Sequence, residues 1–191
     1  MANHSNKIYT RRGDQGQTSL LGTQVVNKDD LQVKTYGALD ELQSHLGLAR
    51  AANTERELRA IIYSVQKELF IAGAELASTS EFHHTLRTRI TAQNVDQLEG
   101  WIDRLSNRYG MPHGFVTPGA SFASAALHVA RAVCRRVERL IVTLNRNLGV
   151  HSVLIIYFNR LSDLLFMLAW ADQVRATIEQ VLDELTRDQP N

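Results

Sequence analysis

Residues 121–147 read SFASAALHVARAVCRRVERLIVTLNRN. Leu127, Ala130, Cys134, Val137, Ile141 and Leu144 recur at steps of three and four, the period of one helical face. No proline or glycine interrupts them, so the segment predicts a long amphipathic helix. Upstream, Met111 to Ser121 alone mixes proline and glycine with an aromatic residue, Phe115, and reads as a loop. Before it, Thr91 to Arg108 carries Val95, Leu98, Trp101, Ile102 and Leu105 at helical spacing, and Gly110 and Pro112 stop it. Residues 54–77 repeat the pattern through Leu58, Ile61, Ile62, Val65, Leu69, Ile71 and Leu76, with Thr54 as the expected N-cap. Leu31 to Ala52 does so through Val33, Tyr36, Leu39, Leu42, Leu46 and Ala49. Downstream, a fifth helix is expected from Ser152 to about Arg187.

The most apolar stretch, Val153 to Ala171, contains Asn159, Arg160, Ser162 and Asp163. A membrane span wants about 20 nearly uncharged residues, so this reads as a buried helix. Strand alternation is nowhere convincing, and only the short N-terminal arm leaves room for it. The expectation is an all-α, five-helix up-and-down bundle of the ferritin-like, left-handed kind. A single domain, 1–191, would comprise an irregular arm over 1–30 and the bundle over 31–187.

A chain of 191 residues is close to one domain at about 150 residues each. With 44% hydrophobic and 21% charged residues, disordered, collagen-like and proline-rich classes are excluded. A formal net charge of +1 provides no whole-molecule field for nucleic acid or membrane, so any anion site must be local. The single Cys134 excludes an internal disulfide and a cysteine-rich zinc site and fits a reducing compartment. Residues Met1 to Tyr9 show no targeting pattern, and the cytoplasm is the simplest address.

Three places carry possible chemistry. The arm, Thr10-Arg11-Arg12-Gly13-Asp14-Gln15-Gly16-Gln17-Thr18-Ser19, combines tight-turn glycines with arginines and hydroxyls suited to phosphate oxygens. It is no P-loop, and taken alone an ordinary surface turn is the plainer reading. Lys28 can add a point charge to the same anion or be a solvated surface lysine. On the fourth helix, Arg131, Arg135 and Glu138 fall within about 60° at 100° per residue, with Arg139 beside them. Such a face can clamp a polyphosphate through arginine forks, or be a solvated face laced with ion pairs. Asn159, Ser162 and Asp163 sit at i, i+3 and i+4 of the fifth helix, bonding neighbouring helices or facing a ligand cavity. Asp40-Glu41 poses the same choice and can pair with an arginine of the fourth helix. The histidines lack metal-ligand spacing, and Cys134, in the core stripe, behaves as a small hydrophobe.

Five segments in order resemble one family: Tyr9 to Thr18, Tyr36-Gly37-Ala38-Leu39-Asp40-Glu41-Leu42, Phe115-Val116-Thr117-Pro118-Gly119, Ala130 to Arg139, and Asn159-Arg160-Leu161-Ser162-Asp163. It is the trimeric, five-helix type of ATP:cob(I)alamin, or corrinoid, adenosyltransferase. The resemblance spans roughly residues 8–170 and implies transfer of the 5′-deoxyadenosyl group of ATP to the cobalt of cob(I)alamin or a related corrinoid. Triphosphate would leave and adenosylcobalamin form.

The resemblance also implies roles. Thr10, Arg11, Arg12, Gly13, Asp14, Gly16, Thr18, Ser19 and Lys28 would hold ATP from one chain. Arg135, Arg136, Glu138, Arg139 and Asn159 would complete the site from a neighbour in a homotrimer, with Glu138 at Mg²⁺ and the phosphates. Asp40 would pair across subunits with Arg131. Phe115 would cover the lower face of the corrinoid and displace its axial ligand, easing reduction, and Asp163 would lie at the corrinoid. A reductase supplying cob(I)alamin and a B12-dependent client enzyme would be partners; neither nucleic acid nor membrane is expected. Ala120, where the family often has a second glycine, and Gln15, where it often has lysine, depart from the pattern. A phosphotransferase using the same polyphosphate site and a corrinoid-loading carrier are the competing readings.

Overall fold

Five long helices separate at punctuation visible in the chain. The computed structural model describes residues 8–149 and 152–187; the start of the arm, 1–7, and the tail end, 188–191, lie outside them. A two-stranded antiparallel hairpin, β1 (Gln17–Ser19) and β2 (Val25–Asn27), precedes α1 (Leu31–Ala52), α2 (Arg56–Leu76), a single turn α3 (Ser80–His83), α4 (Ala92–Tyr109), α5 (Phe122–Leu148) and α6 (Ser152–Arg187).

The caps explain the boundaries. Asp30 accepts the Gln32 N–H at 2.7 Å to open α1, and Ser121 accepts that of Ser124 at 2.9 Å to open α5. Thr91 and Asn94 form a reciprocal capping box on α4, which ends at Gly110 with φ 69°. The expected cap at Thr54 is not made. Asn53 instead accepts the Glu55 N–H at 2.9 Å, and α2 starts one residue later than Thr54 requires. The turn α3 is too short to show a hydrophobic period and was not anticipated; Thr79 caps it by accepting from Phe82 N at 3.2 Å.

Side-chain pairs fix the helix directions. Gln43 and Gln66 exchange bonds to each other's carbonyls, and Gln32 reaches the carbonyls of Leu76 and Ser78, so α1 and α2 are antiparallel. Glu57 meets Arg104 and Arg108 while Glu68 meets Asn94, which sets α4 antiparallel to α2. Glu138 meets Asn159, while Ser121 at the start of α5 meets Asp172, so α5 and α6 are antiparallel. The bundle is therefore up-and-down, as expected. One end gathers the arm, the starts of α1 and α6 and the end of α5; the other gathers the α4–α5 loop and residues near 170–175 of α6.

Leu42, Leu46, Leu58, Ile62, Leu69, Leu98, Leu105, Leu127, Ile141 and Phe158 fill the core. Burying such side chains is worth about 1.5–3 kcal/mol each. By length and composition α6 is apolar enough to cross a membrane, yet Leu154, Tyr157, Leu161, Leu164, Leu165 and Leu168 are core residues of this bundle. One buried carboxylate is fully engaged: Glu68 accepts from the Tyr157 hydroxyl at 2.7 Å and from Asn94 Nδ2 at 3.1 Å.

The arm is pinned to the bundle through Leu21, whose N–H reaches the Ala77 carbonyl at 2.8 Å while its carbonyl receives the Thr79 N–H at 2.9 Å. Gly22 makes this approach with φ +106°, and a Cβ there would meet Thr79 Oγ1 at 2.5 Å. Gly22→Ala is therefore expected to cost about 1–3 kcal/mol, read as a lowered thermal midpoint. An unchanged midpoint would show the seam to be dispensable.

Candidate functional site

The arm's cations converge on one turn. Arg11 takes φ 62°, its carbonyl accepts from Asp14 N at 3.4 Å, and the Gly16 carbonyl accepts the Lys28 N–H at 2.8 Å. The Lys28 chain then lies over Gly13, where a Cβ would stand 2.8 Å from Nζ. Glycine at 13 thus makes room for the ammonium beside the loop. Thr10, Arg11, Arg12, Asp14, Gly16 and Ser19 are exposed, and Thr18 is half-buried on β1. No carboxylate within the described residues forms an ion pair with Arg11, Arg12 or Lys28.

A second positive strip runs along α5. Arg135 and Arg139 are exposed, Arg131 is half-buried, and none forms an ion pair with a described carboxylate. The Arg131 Nε is buried without a hydrogen-bond partner. Unanswered like charges four residues apart repel, so an anion on this face would be stabilising. Glu138 accepts from Asn159 Nδ2 at 3.1 Å, and Asn159 Oδ1 accepts from Arg160 at 3.0 Å, which ties the strip to α6. Arg136 is not part of this strip. Its guanidinium is bonded to Glu41 of α1, so the pairing expected for Asp40-Glu41 is made by Glu41, and Asp40 remains exposed.

Further along α6, Asp163 and Phe166 line a cavity of about 520 Å³ with Glu99, Ile102 and Met111. Asp163 is exposed rather than a buried helix-bonding group; Ser162, buried beside it, donates to the Asn159 carbonyl at 2.8 Å. Asn159, Asp163 and Phe166 share one face over about 10 Å at 1.5 Å per residue. Phe166, missed in the sequence, was findable there by its i+3 step from Asp163. Four residues along the chain from Met111, which lines this cavity, Phe115 is fully exposed. It is therefore not a loop anchor packed on the bundle.

Residues 8–171 match the cobalamin adenosyltransferase family. The chain belongs to that family. The corrinoid adenosyltransferase of Citrobacter freundii is 44% identical over 163 residues, covering 85% of this chain and 93% of that protein. The corrinoid adenosyltransferase PduO of Salmonella typhimurium is 39% identical over 94% of this chain, which spans only 54% of that longer protein. A variant PduO-type ATP:corrinoid adenosyltransferase from Lactobacillus reuteri, solved with cobalamin and ATP, superposes with a TM-score of 0.82 at 34% identity, covering 91% of this chain and 96% of that one.

Within this cobalamin adenosyltransferase chain, the arm and Phe115 lie at opposite ends of α1, whose 22 residues span about 33 Å. Cys134 is inert, since burial raises its thiol pKa first and Glu138 next. His128 is buried edge-on to Phe166, both ring nitrogens lacking partners. Burial, then Arg131, lowers its pKa. The folded chain thus binds less proton here than the unfolded chain, so stability is lost as pH falls below about 6.5. His128→Leu is expected to flatten the thermal midpoint's pH slope between 7 and 5 by up to one proton; an unchanged slope would assign it elsewhere.

Proposed function

We propose that this chain transfers the 5′-deoxyadenosyl group of ATP to the cobalt of a reduced corrinoid. The cobalt(I) electron pair attacks C5′, the C5′–O bond breaks, and triphosphate leaves with that bond pair. No protein nucleophile or base is needed, in keeping with a buried, inert Cys134. The chain's tasks are to align C5′ with cobalt and to neutralise the leaving group. What supports this reading most is the run from the unneutralised arginines of α5, through Glu138 and Asn159, to the cavity lined by Asp163 and Phe166 of α6.

Arg135 and Arg139 would clamp the triphosphate, with Asn159 fixing Glu138. Thr10, Arg11, Arg12, Gly13, Asp14, Gly16, Thr18, Ser19 and Lys28 would close on the nucleotide from a neighbouring chain. Asp40, exposed, and Arg131, with its unpaired Nε, would be the two halves of a contact between subunits of a homotrimer. Phe115 and Asp163 would face the corrinoid. The described residues include no group of three or more His, Cys, Asp or Glu placed so that it could hold a metal ion. Mg²⁺ fits as an ion brought by the ATP phosphates and held by one carboxylate, Glu138. When bound it would supply further neutralisation of the triphosphate. The arm and the bundle would act as one domain. A reducing compartment such as the cytoplasm, a reductase supplying the cob(I) state and a B12-dependent client complete the proposal.

Anaerobic incubation with ATP, Mg²⁺ and chemically reduced cob(I)alamin tests it. A light-sensitive adenosylcobalamin spectrum with one triphosphate per turnover is expected. Corrinoid binding without either product would favour a carrier, and ADP or AMP as product a phosphotransferase.

A further inference from the structure

Between its ends the loop that carries Phe115 makes no hydrogen bond among the described residues, and within 111–120 Pro112 and Val116 are half-buried. Phe115 itself touches no core. The hydrogen bonds that fix the loop are therefore at its two termini, and both are fastened to one turn of α6.

At the first terminus, Trp170 Nε1–H donates to the Gly110 carbonyl at 3.0 Å, just where α4 ends. At the second, the Ser121 hydroxyl donates to Asp172 Oδ2 while accepting the Ser124 N–H at 2.9 Å as the cap of α5. The other Asp172 oxygen accepts from Asn53 Nδ2 at 2.7 Å, so this buried carboxylate ties the loop to the end of α1 as well. Trp170 and Asp172 are two residues apart, about 3 Å along the axis, on the helix that also carries Asn159 and Asp163. A single helix thereby fastens both ends of the loop that carries Phe115.

We infer that Trp170 and Asp172 are positioning residues that hold Phe115 over the corrinoid. The inference rests on the adenosyl-transfer reading above and adds two side chains to it. Neither needs to touch a substrate. Each works through a loop whose free length would otherwise let the phenyl ring wander.

The test is a double-mutant cycle with Trp170→Phe, which keeps the ring packing and removes the donor, and Phe115→Ala. One net hydrogen bond corresponds to about three- to tenfold. Trp170→Phe is expected to raise the corrinoid KM or lower the corrinoid-dependent kcat by that factor, leaving the ATP KM and the thermal midpoint unchanged. In the double variant the loss should equal that of Phe115→Ala alone, since an anchor for a missing ring has nothing to position. Additive losses overturn the inference. Hydrogen exchange of the bonded amides that flank the loop, Gly110, Ser124 and Ala125, provides a readout without corrinoid: it should quicken at Gly110 in Trp170→Phe and at Ser124 and Ala125 in Asp172→Asn while the α5 core stays protected. Exchange equal to wild type in both variants also overturns it. A wild-type chain that transfers no adenosyl group sinks the reaction reading instead, and exchange at these flanking amides still decides whether the two side chains hold the loop.

Discussion

Arg135→Ala is expected to lower kcat/KM for ATP by about 10²–10³ while the thermal midpoint stays within a degree or two of wild type. The side chain is exposed and forms no ion pair with a described carboxylate, so removing it deletes no packing and leaves no buried charge behind. Against a leaving triphosphate the same guanidinium provides charge-assisted, forked hydrogen bonds. Removing one preorganised donor of that kind costs about 2.7–4 kcal/mol in the transition state. Arg136→Ala is the comparison, because its guanidinium is bonded to Glu41 and faces α1. It should lose a surface ion pair worth about 1 kcal/mol or less and little turnover. Steady-state kinetics on both variants decide the matter. Equal losses would mean that α5 presents a diffuse positive surface rather than a directed clamp.

Mixing provides a sharper form of the same prediction. If the arm of one chain serves the α5 strip of its neighbour, hybrids of Arg135→Ala and Lys28→Ala chains contain some sites with both halves intact. Activity should then return on mixing under conditions that exchange subunits. Should each chain complete its own site, every site in the hybrid is damaged and no activity returns.

The helices were legible because apolar residues at steps of three and four are a direct image of a helix buried on one side. Caps at Ser121 and Thr91 and the stop at Gly110 were equally local. Thr54 failed as a cap because Asn53, one residue earlier, is held by Asp172 from 119 positions away and presents its own oxygen to the Glu55 N–H. Helical angle alone put Arg131, Arg135 and Glu138 together, yet it could not show that Arg136 is turned to Glu41, because that depends on where α1 packs. Asn159, Ser162 and Asp163 were read as one cluster that bonds helices or faces a cavity, whereas one helical step of 100° divides it, with the Ser162 hydroxyl buried and the Asp163 carboxylate lining the cavity. The cavity joining Glu99, Met111 and Phe166 brings together residues about 60 positions apart, so no local pattern announces it.

Phe115→Ala is expected to fold as the wild type does and to fail mainly when the corrinoid starts as cob(II). A fully exposed phenyl ring contributes nothing to the core, so its loss leaves the thermal midpoint in place. Burying that ring against a corrinoid face is worth about 1.5–3 kcal/mol, which corresponds to roughly 10- to 100-fold in rate or affinity. That energy acts on whichever step the ring covers. If the ring excludes the axial ligand, the loss appears when a mild reductant must take cob(II)alamin to cob(I)alamin, and chemically pre-reduced cob(I)alamin recovers most of the turnover. Equal losses from both starting states would show that Phe115 aligns cobalt with C5′ instead. No loss from either would leave the exposed ring as a subunit contact, and the Trp170 and Asp172 anchors would then serve assembly rather than reduction.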